Sequence, residues 1–98
     1  MGRYYKHYDN SPSRFHPAYL YAKNDRKNRY KIICFTHQKT SRVRRLNENI
    51  NPRERERVTY VMKNPLIVKR NRLGSQYIGY RIVDPLDKHT IRMIKRKK

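Results

Sequence analysis

Apolar residues in this 98-residue chain recur in short runs, which stretches rich in Asn, Pro and charged residues separate. The clearest run is residues 30–36, YKIICFT, with β-branched and aromatic side chains in close succession. A run of this length after the polar break at 24–28 is typical of a strand buried on both faces. We therefore predict a central β-strand at 30–36.

Weaker alternation and apolar content predict further short strands downstream. Asn, Pro and Gly residues separate these strands and mark the turns between them. Residues 84–88, DPLDK, suit a type I turn, so the last two strands are expected to form a hairpin. The expected strands cover residues 39–46, 58–62, 66–69, 77–83 and 90–94.

Five or six short strands at spacings of about 8 to 12 residues predict a mainly β fold. The expected architecture is a small antiparallel barrel, SH3-like or OB-like, or a strongly bent sheet. We divide the chain into a basic, Tyr-rich N-terminal arm at 1–28, a small β domain at 29–94 and a basic C-terminal tail at 95–98. Pro12 and Pro17 interrupt the arm, which is expected to be irregular or to form a short helix.

The net charge of the chain limits its possible functions more than the pattern of strands does. The chain has 26 Lys and Arg against 7 Asp and Glu, a formal net charge of +19. A compact body with this excess repels itself, and polyanions are its natural partners. We predict a non-enzymatic protein that binds nucleic acid, RNA in preference to DNA. Basic segments with many Tyr suit irregular and single-stranded targets, and no helix-turn-helix pattern appears.

The candidate contacts are basic side chains near strand ends and Tyr rings that can stack on bases. Arg donates two parallel hydrogen bonds to a phosphate. In an extended strand, Arg42 and Arg44 would lie on one face and Arg45 on the other, although a solvated edge strand protected by charge is the alternative. The predicted nucleic-acid contacts are Arg42, Arg44, Arg45, Lys69, Arg70, Arg72, Tyr80, Arg81, Lys95 and Arg96, and the predicted arm contacts are Arg3, Tyr4, Tyr5, Lys6 and Arg14.

Other chemistries receive little support from the residues present. The single cysteine, Cys34, excludes an intramolecular disulfide and fits a reducing compartment, so a cytoplasmic location is expected. His7, His16, His37 and His89 lack the spacing of metal ligands, and we expect neither a metal nor a cofactor. No run of about 18 apolar residues occurs, so a membrane span is not expected.

Three alternative functions stay open from the sequence. The chain suits a structural component of a ribosome or other ribonucleoprotein, or a basic partner of an acidic protein. It also has the size and basic character of small barrel-type ribonuclease toxins that cut messenger RNA, in which case His37 would act as a metal-independent base. The oligomeric state is not determined by the sequence.

Overall fold

The computed structural model describes residues 3–8, 15–49, 58–77 and 81–97, with the backbone alone at 3–8, 15–16 and 75–77. These residues form an antiparallel β-sheet and a C-terminal helix. A 3-10 turn at Arg70–Arg72 joins the last two strands. The strands are β1 (Arg3–Tyr8), β2 (Phe15–Asn24), β3 (Arg29–Thr36), β4 (Val43–Arg45), β5 (Tyr60–Met62), β6 (Leu66–Val68) and β7 (Leu73–Tyr77), and the helix is α1 (Pro85–Lys95).

The strand order places β3 at the centre of the sheet, as the sequence predicts for residues 30–36. Six strands follow the order β4-β5-β3-β2-β1-β7, and β6 pairs with β3 beside this path. β2 pairs with β3 from Asn24 opposite Arg29 to Ala18 opposite Cys34, with a bulge between Leu20 and Ala22. β3 is therefore covered by β2 on one edge, and by β6 and β5 in succession on the other.

Side chains from the two faces of β3 enter two separate apolar clusters. One cluster contains Ile33 and Phe35 of β3 with Ile91 and Ile94 of α1. The other contains Tyr30, Ile32 and Cys34 of β3 with Ala18 and Leu20 of β2 and Leu73 of β7. The alternation of cluster membership along β3 follows from the two-residue period of a strand. Both faces of the central strand are thus buried, and the mainly β antiparallel fold is confirmed.

The prediction of a final β-hairpin is wrong, because residues 85–95 form α1. Asp84 is the N-cap of this helix, and its side chain accepts a hydrogen bond from the Asp87 backbone N–H at 3.0 Å. Pro85 at the first helical position has no N–H that needs a partner. Asp87, Ile91 and Ile94 are the buried residues of α1, and their spacing of four and three places them on one face.

The expectation of an irregular or short-helical arm is also wrong, because β1 and β2 belong to the sheet. Residues 3–8, RYYKHY, are rich in Tyr, which favours strands. Pro17 lies opposite Lys6 of β1 and directly before Ala18, where the pairing of β2 with β3 begins. Its missing N–H therefore removes no hydrogen bond from the β2–β3 ladder, which explains how a proline fits this strand.

The sheet does not close into a barrel, so that prediction is wrong. The strand order ends in β4 and β7, and no pairing among the described residues joins these two strands. The segment 90–94, which was expected to supply the last strand, lies in α1 instead. Of the strand predicted at 77–83, Tyr77 lies in β7, residues 81–83 are not in a strand, and residues 78–80 lie outside the described residues. Gly74 is buried within β7 and does not mark a turn.

Candidate nucleic-acid interface

The β2–β3 turn and the 3-10 turn lie side by side at one end of the sheet. The β3–β6 register sets Tyr30 opposite Val68, so Lys69, which follows Val68, adjoins Arg29. The Asn28 side-chain oxygen accepts a hydrogen bond of 2.8 Å from the Arg70 backbone N–H, which ties the two turns together. Asn28 has a positive φ of 52°, a conformation that Asn tolerates better than most residues.

This junction collects five exposed basic side chains, which we call the turn cluster. The β2–β3 hairpin and the β3–β6 pairing together bring its members close, so that the turn with Asn28 meets the turn with Arg70, 42 positions later in the sequence. None of the five makes an ion pair with any residue in the described ranges. The members of the turn cluster are Arg26, Lys27, Arg29, Lys69 and Arg70.

The carboxylate beside the turn cluster, Asp25, already has partners. It accepts a hydrogen bond from the Tyr30 hydroxyl and forms an ion pair with Lys23, whose Nζ lies 3.5 Å from Oδ2. The Tyr30 hydrogen bond is the main cause that lowers the pKa of Asp25, and the same bond raises the pKa of Tyr30. Arg70 also interacts electrostatically with Asp25. One carboxylate cannot balance Lys23 and the five cations of the turn cluster, which therefore keeps an excess of positive charge.

The other described carboxylates, Glu48, Asp84 and Asp87, form a carboxylate junction between α1 and the segment after β4. Asp87 is only 2 % exposed and accepts hydrogen bonds from the backbone N–H groups of Asn47 and Glu48, at 2.9 and 2.8 Å. Glu48 accepts hydrogen bonds from the N–H groups of Val83 and Asp84, each at 2.9 Å. Glu48 and Asp84 thus bind backbone amides at the start of α1, and Asp87 binds amides of the segment after β4. The helix dipole also favours negative charge at this end of α1.

A second basic region lies at the opposite end of α1, against β2. The Lys95 ammonium donates a hydrogen bond of 2.9 Å to the Tyr19 hydroxyl and lies 4.7 Å from the centre of the Tyr19 ring. Tyr19 and Tyr21 are half-buried, with ring centres 6.4 Å apart and planes inclined by 25°. Burial raises the pKa of the Tyr21 hydroxyl above its ordinary value, which itself lies well above neutral pH.

β2 connects this aromatic pair to the turn cluster. Tyr21 precedes Asp25 and Arg26 of the β2–β3 turn by only four and five residues. At about 3.3 Å per strand residue, this separation is about 13 to 16 Å. Lys31, which lies on the same face as Ile33, is exposed between the two regions. Cationic and aromatic side chains therefore alternate along this part of the sheet.

The structure brings some predicted contacts together and separates others. Lys69 and Arg70 join the turn cluster, while Arg72 of the 3-10 turn is half-buried. Arg44 and Arg45 are exposed on the edge strand β4, on opposite faces as predicted, and Arg42 precedes that strand. Lys95 is the last residue of α1 and Arg96 is its C-cap.

The remaining predicted contacts are less completely defined. Arg81 is exposed shortly before α1. Tyr80 and Arg14 lie outside the described residues. The other arm residues form part of β1, where the structure defines the backbone: Arg3, Tyr4, Tyr5 and Lys6.

Sequence reasoning missed Arg26, Lys27, Arg29, Tyr19 and Tyr21 as members of the site. The segment 24–28 is easily taken for a polar break, since nothing local shows that it meets residues 69–72. A signal was present in the two adjacent cations Arg26 and Lys27, which precede Asn28 in a segment of turn-forming residues between two Tyr-containing runs. That pattern indicates a hairpin whose turn displays positive charge.

His37, the base in the ribonuclease alternative, is half-buried at the end of β3. Its Nδ1 lies 3.0 Å from the Val58 carbonyl oxygen, which can only accept, so Nδ1 carries the proton. Glu48 belongs to the carboxylate junction and accepts hydrogen bonds from the Val83 and Asp84 backbone N–H groups. Among the described residues, no group of three or more His, Cys, Asp or Glu is placed to hold a metal ion.

Comparisons with known proteins provide no functional assignment, so the assignment depends on the geometry described above. No family model, no curated protein and no solved structure matches this chain. Within the described ranges, no helix is long and apolar enough to cross a membrane.

Proposed function

We propose that this protein binds nucleic acid, RNA in preference to DNA, and that it acts as a binder and not as an enzyme. One observation carries the proposal: the turn cluster displays five cations while the described carboxylates are engaged by Lys23, Tyr30 and backbone amides. Positive charge without an internal counter-ion is what a phosphate backbone neutralises, with release of its own counter-ions. A surface selected for solubility alone would mix both signs.

Within this proposal the turn cluster contacts phosphates and the tyrosines of β2 contact bases. The guanidinium groups of Arg26, Arg29 and Arg70 each offer a planar fork for phosphate oxygens. Tyr21 lies about 13 to 16 Å away along β2, a distance that a strand of a few nucleotides spans. Stacking of one base on an accessible ring contributes about 1 to 3 kcal/mol.

The preference for RNA rests on shape. The described helix, α1, packs its Ile91 and Ile94 side into the sheet, and the acids at its N-terminal end, Asp84 and Asp87, bind backbone amides of this protein. This arrangement does not suit a recognition helix, which inserts its N-terminal residues into the major groove. Turns and strands with Arg and Tyr suit single-stranded RNA, whose bases are free to stack. A cytoplasmic location stays a prediction.

The test is a salt titration of binding to a labelled single-stranded RNA. If all five cations of the turn cluster contact phosphate, log K should fall with log salt at a slope of about −3.5. Binding should then weaken roughly a hundredfold between about 50 and 200 mM salt. Arg26→Ala with Lys27→Ala should reduce the slope by about 1.4. A slope that stays flat in the unaltered protein contradicts the proposal.

The matched control removes two exposed cations from α1, Lys88→Ala with Arg92→Ala, and should leave the slope almost unchanged. The same samples, run on a denaturing gel, separate the proposal from the ribonuclease alternative, since a binder leaves the RNA at full length. Shortened RNA that His37→Ala restores to full length would favour the ribonuclease. Competition by an acidic protein stronger than that by RNA would favour a protein partner.

A further inference from the structure

A cleft of about 470 Å³ opens between the end of β3, the loop before β4, and the strands β5 and β6. Its walls include Cys34, Val43, Met62 and Leu66. Cys34 and Val43 are each 8 % exposed, Met62 is half-buried and Leu66 is exposed. The volume lies in the range of about 300 to 1,000 Å³ that is typical of pockets for small organic ligands. The cleft therefore offers apolar contact to something of that size.

The rim of the cleft is polar and is held in place by the backbone. The Lys63 Nζ donates a hydrogen bond of 3.1 Å to the Ser41 carbonyl oxygen, and the Lys63 N–H donates to the Arg42 carbonyl at 2.9 Å. The Arg42 N–H donates to the Thr40 hydroxyl at 3.2 Å. The rim loop thus has a defined shape before any ligand enters.

Three side chains of this rim remain available for a ligand. Gln38, Ser41 and Arg42 line the cleft and are exposed. Their side-chain polar groups make no hydrogen bond to any residue within the described ranges. The Gln38 amide offers two donors and an acceptor, and the Ser41 hydroxyl offers one donor and two lone pairs. Arg42 adds a permanent positive charge at the mouth.

We propose that this cleft receives one unpaired nucleobase of single-stranded RNA, an inference that rests on the function proposed above. The flat faces of a base match apolar walls, in which the Met62 thioether adapts to an aromatic ring. The edge of a base carries both donors and acceptors, which Gln38 and Ser41 complement. Arg42 is placed at the mouth for the adjoining phosphate. An apolar protein side chain would use the walls but would leave these polar groups without a partner.

β6 links the cleft to the turn cluster. Leu66 lines the cleft at the start of this strand, and Lys69 of the turn cluster follows three residues later. Three strand residues span about 10 Å, which is within reach of neighbouring nucleotides of one RNA strand. A base in the cleft and a phosphate at the turn cluster can therefore belong to the same short segment. Duplex RNA, whose bases are paired and stacked, has no base to offer.

The test compares two probes of equal length and charge: a labelled single-stranded oligoribonucleotide and the same ribose-phosphate chain without bases. The unaltered protein should bind the first about tenfold more tightly. Ser41→Phe fills the cleft while it keeps the backbone carbonyl that Lys63 uses, and Gln38→Ala removes a base-edge partner. Each should reduce the preference for the base-bearing probe and leave the affinity for the abasic probe unchanged.

His89→Phe is the control, because it adds the same aromatic side chain at an exposed position of α1 and should keep the preference. A preference that is undiminished in both Ser41→Phe and Gln38→Ala overturns the proposal, as does equal affinity of the unaltered protein for both probes. If the cleft binds a protein side chain instead of a base, the two variants should leave the preference for the base-bearing probe unchanged. If the unaltered protein binds neither probe, the proposed function itself fails. Gln38→Ala alters an exposed side chain, so the test holds even if Ser41→Phe does not fold.

Discussion

The charged groups of the carboxylate junction form hydrogen bonds within the protein, whereas those of the turn cluster are exposed to solvent. At the junction, Asp87 is buried and accepts two backbone hydrogen bonds, so its charge stabilises the contact between α1 and residues 47–48. At the turn cluster, Arg26 and Arg70 are exposed and have no ion-pair partner among the described residues. At the carboxylate junction, negative charge binds backbone amides of the protein itself, whereas the turn cluster exposes positive charge to solvent.

This difference makes two separate demands on the sequence. A buried carboxylate that lost its N–H donors would cost the desolvation of a charged group, so the junction must be complete for the chain to fold. The turn cluster has no such requirement, since its cations remain hydrated in the free protein. Changes at the junction should therefore alter stability, and changes at the turn cluster should alter binding.

The largest expected effect is on stability, from Asp87→Ala. The substitution leaves the N–H groups of Asn47 and Glu48 without their acceptor and should lower the free energy of unfolding by about 3 kcal/mol. Urea denaturation measures this change. Asp87→Asn keeps one carbonyl oxygen and should cost less. An Asp87→Ala variant as stable as the unaltered protein would show that the junction does not hold α1 in place.

The misassigned end of the chain shows why this junction was hard to foresee. Asp84, Pro85 and Asp87 suit both a type I turn and the N-terminus of a helix, because both use an Asp acceptor and a fixed Pro φ. The spacing that distinguishes a helix from a turn here is that of the buried positions Asp87, Ile91 and Ile94, which are separated by four and three residues as in a helix. An acid at a core position hides that period from a search for apolar residues.

The central strand could be predicted because its signal is local. Residues 30–36 alone carry enough β-branched and aromatic side chains to specify β3, and the structure extends it by one residue to Arg29. By contrast, β7 has no such local signal, and its position depends on the packing of Leu73 in one cluster with Ile32 and Leu20. The same holds for open or closed architecture, which depends on pairings far apart in sequence.

The next effect is on binding, from charge reversal in the turn cluster. Lys27→Glu with Arg70→Glu should weaken binding to single-stranded RNA roughly a hundredfold, since two attractions become repulsions. The free energy of unfolding should hardly change, because both side chains are exposed. Fluorescence anisotropy and urea denaturation of the same samples give both quantities. Lys88→Glu with Arg92→Glu on α1 is the control of equal charge, and an equal loss there would mean that net charge and not position governs binding.

A smaller effect on RNA binding and on the free energy of unfolding is expected at Asn28, which connects the two turns. Asn28→Ala removes the acceptor for the Arg70 N–H and places Ala at φ 52°, so it should cost about 1 to 2 kcal/mol in unfolding free energy. Asn28→Gly removes the acceptor alone and should cost less. Both should weaken RNA binding a few-fold, because the turns lose their fixed alignment. Unchanged binding in both variants would show that the turns act independently.

The turn cluster itself could be predicted only in part, and Asn28 is the reason. Lys69 and Arg70 are recognisable as basic residues at a strand end. Their meeting with Arg26 and Lys27 depends on one side-chain hydrogen bond and on the β3–β6 register, which no local pattern specifies. The cleft near Gln38 is a similar case, since its walls come from four separate segments.

The smallest effects are expected in the pH dependence of stability, where Asp84 and Asp25 differ by their donors. The Asp87 backbone N–H is the main cause that lowers the pKa of Asp84, and the Tyr30 hydroxyl is the main cause for Asp25. A lowered folded pKa means stabilisation that is present above about pH 4 and is lost as the pH falls further, through the folded value. Asp84→Asn and Asp25→Asn should each flatten this acid limb of the stability curve.

Only Asp25→Asn should also change the alkaline limb. The bond to Asp25 raises the pKa of Tyr30, so its stabilisation is present below about pH 10 and is lost as the pH rises through the higher folded value. A backbone amide does not titrate in this range, so Asp84→Asn should leave the alkaline limb unchanged. Urea denaturation midpoints from acid to alkaline pH measure both limbs. An alkaline limb that is the same with and without Asp25 would mean that the Tyr30 bond adds nothing to stability, and that the excess charge of the turn cluster is held in place by Asn28 and the strand pairing alone.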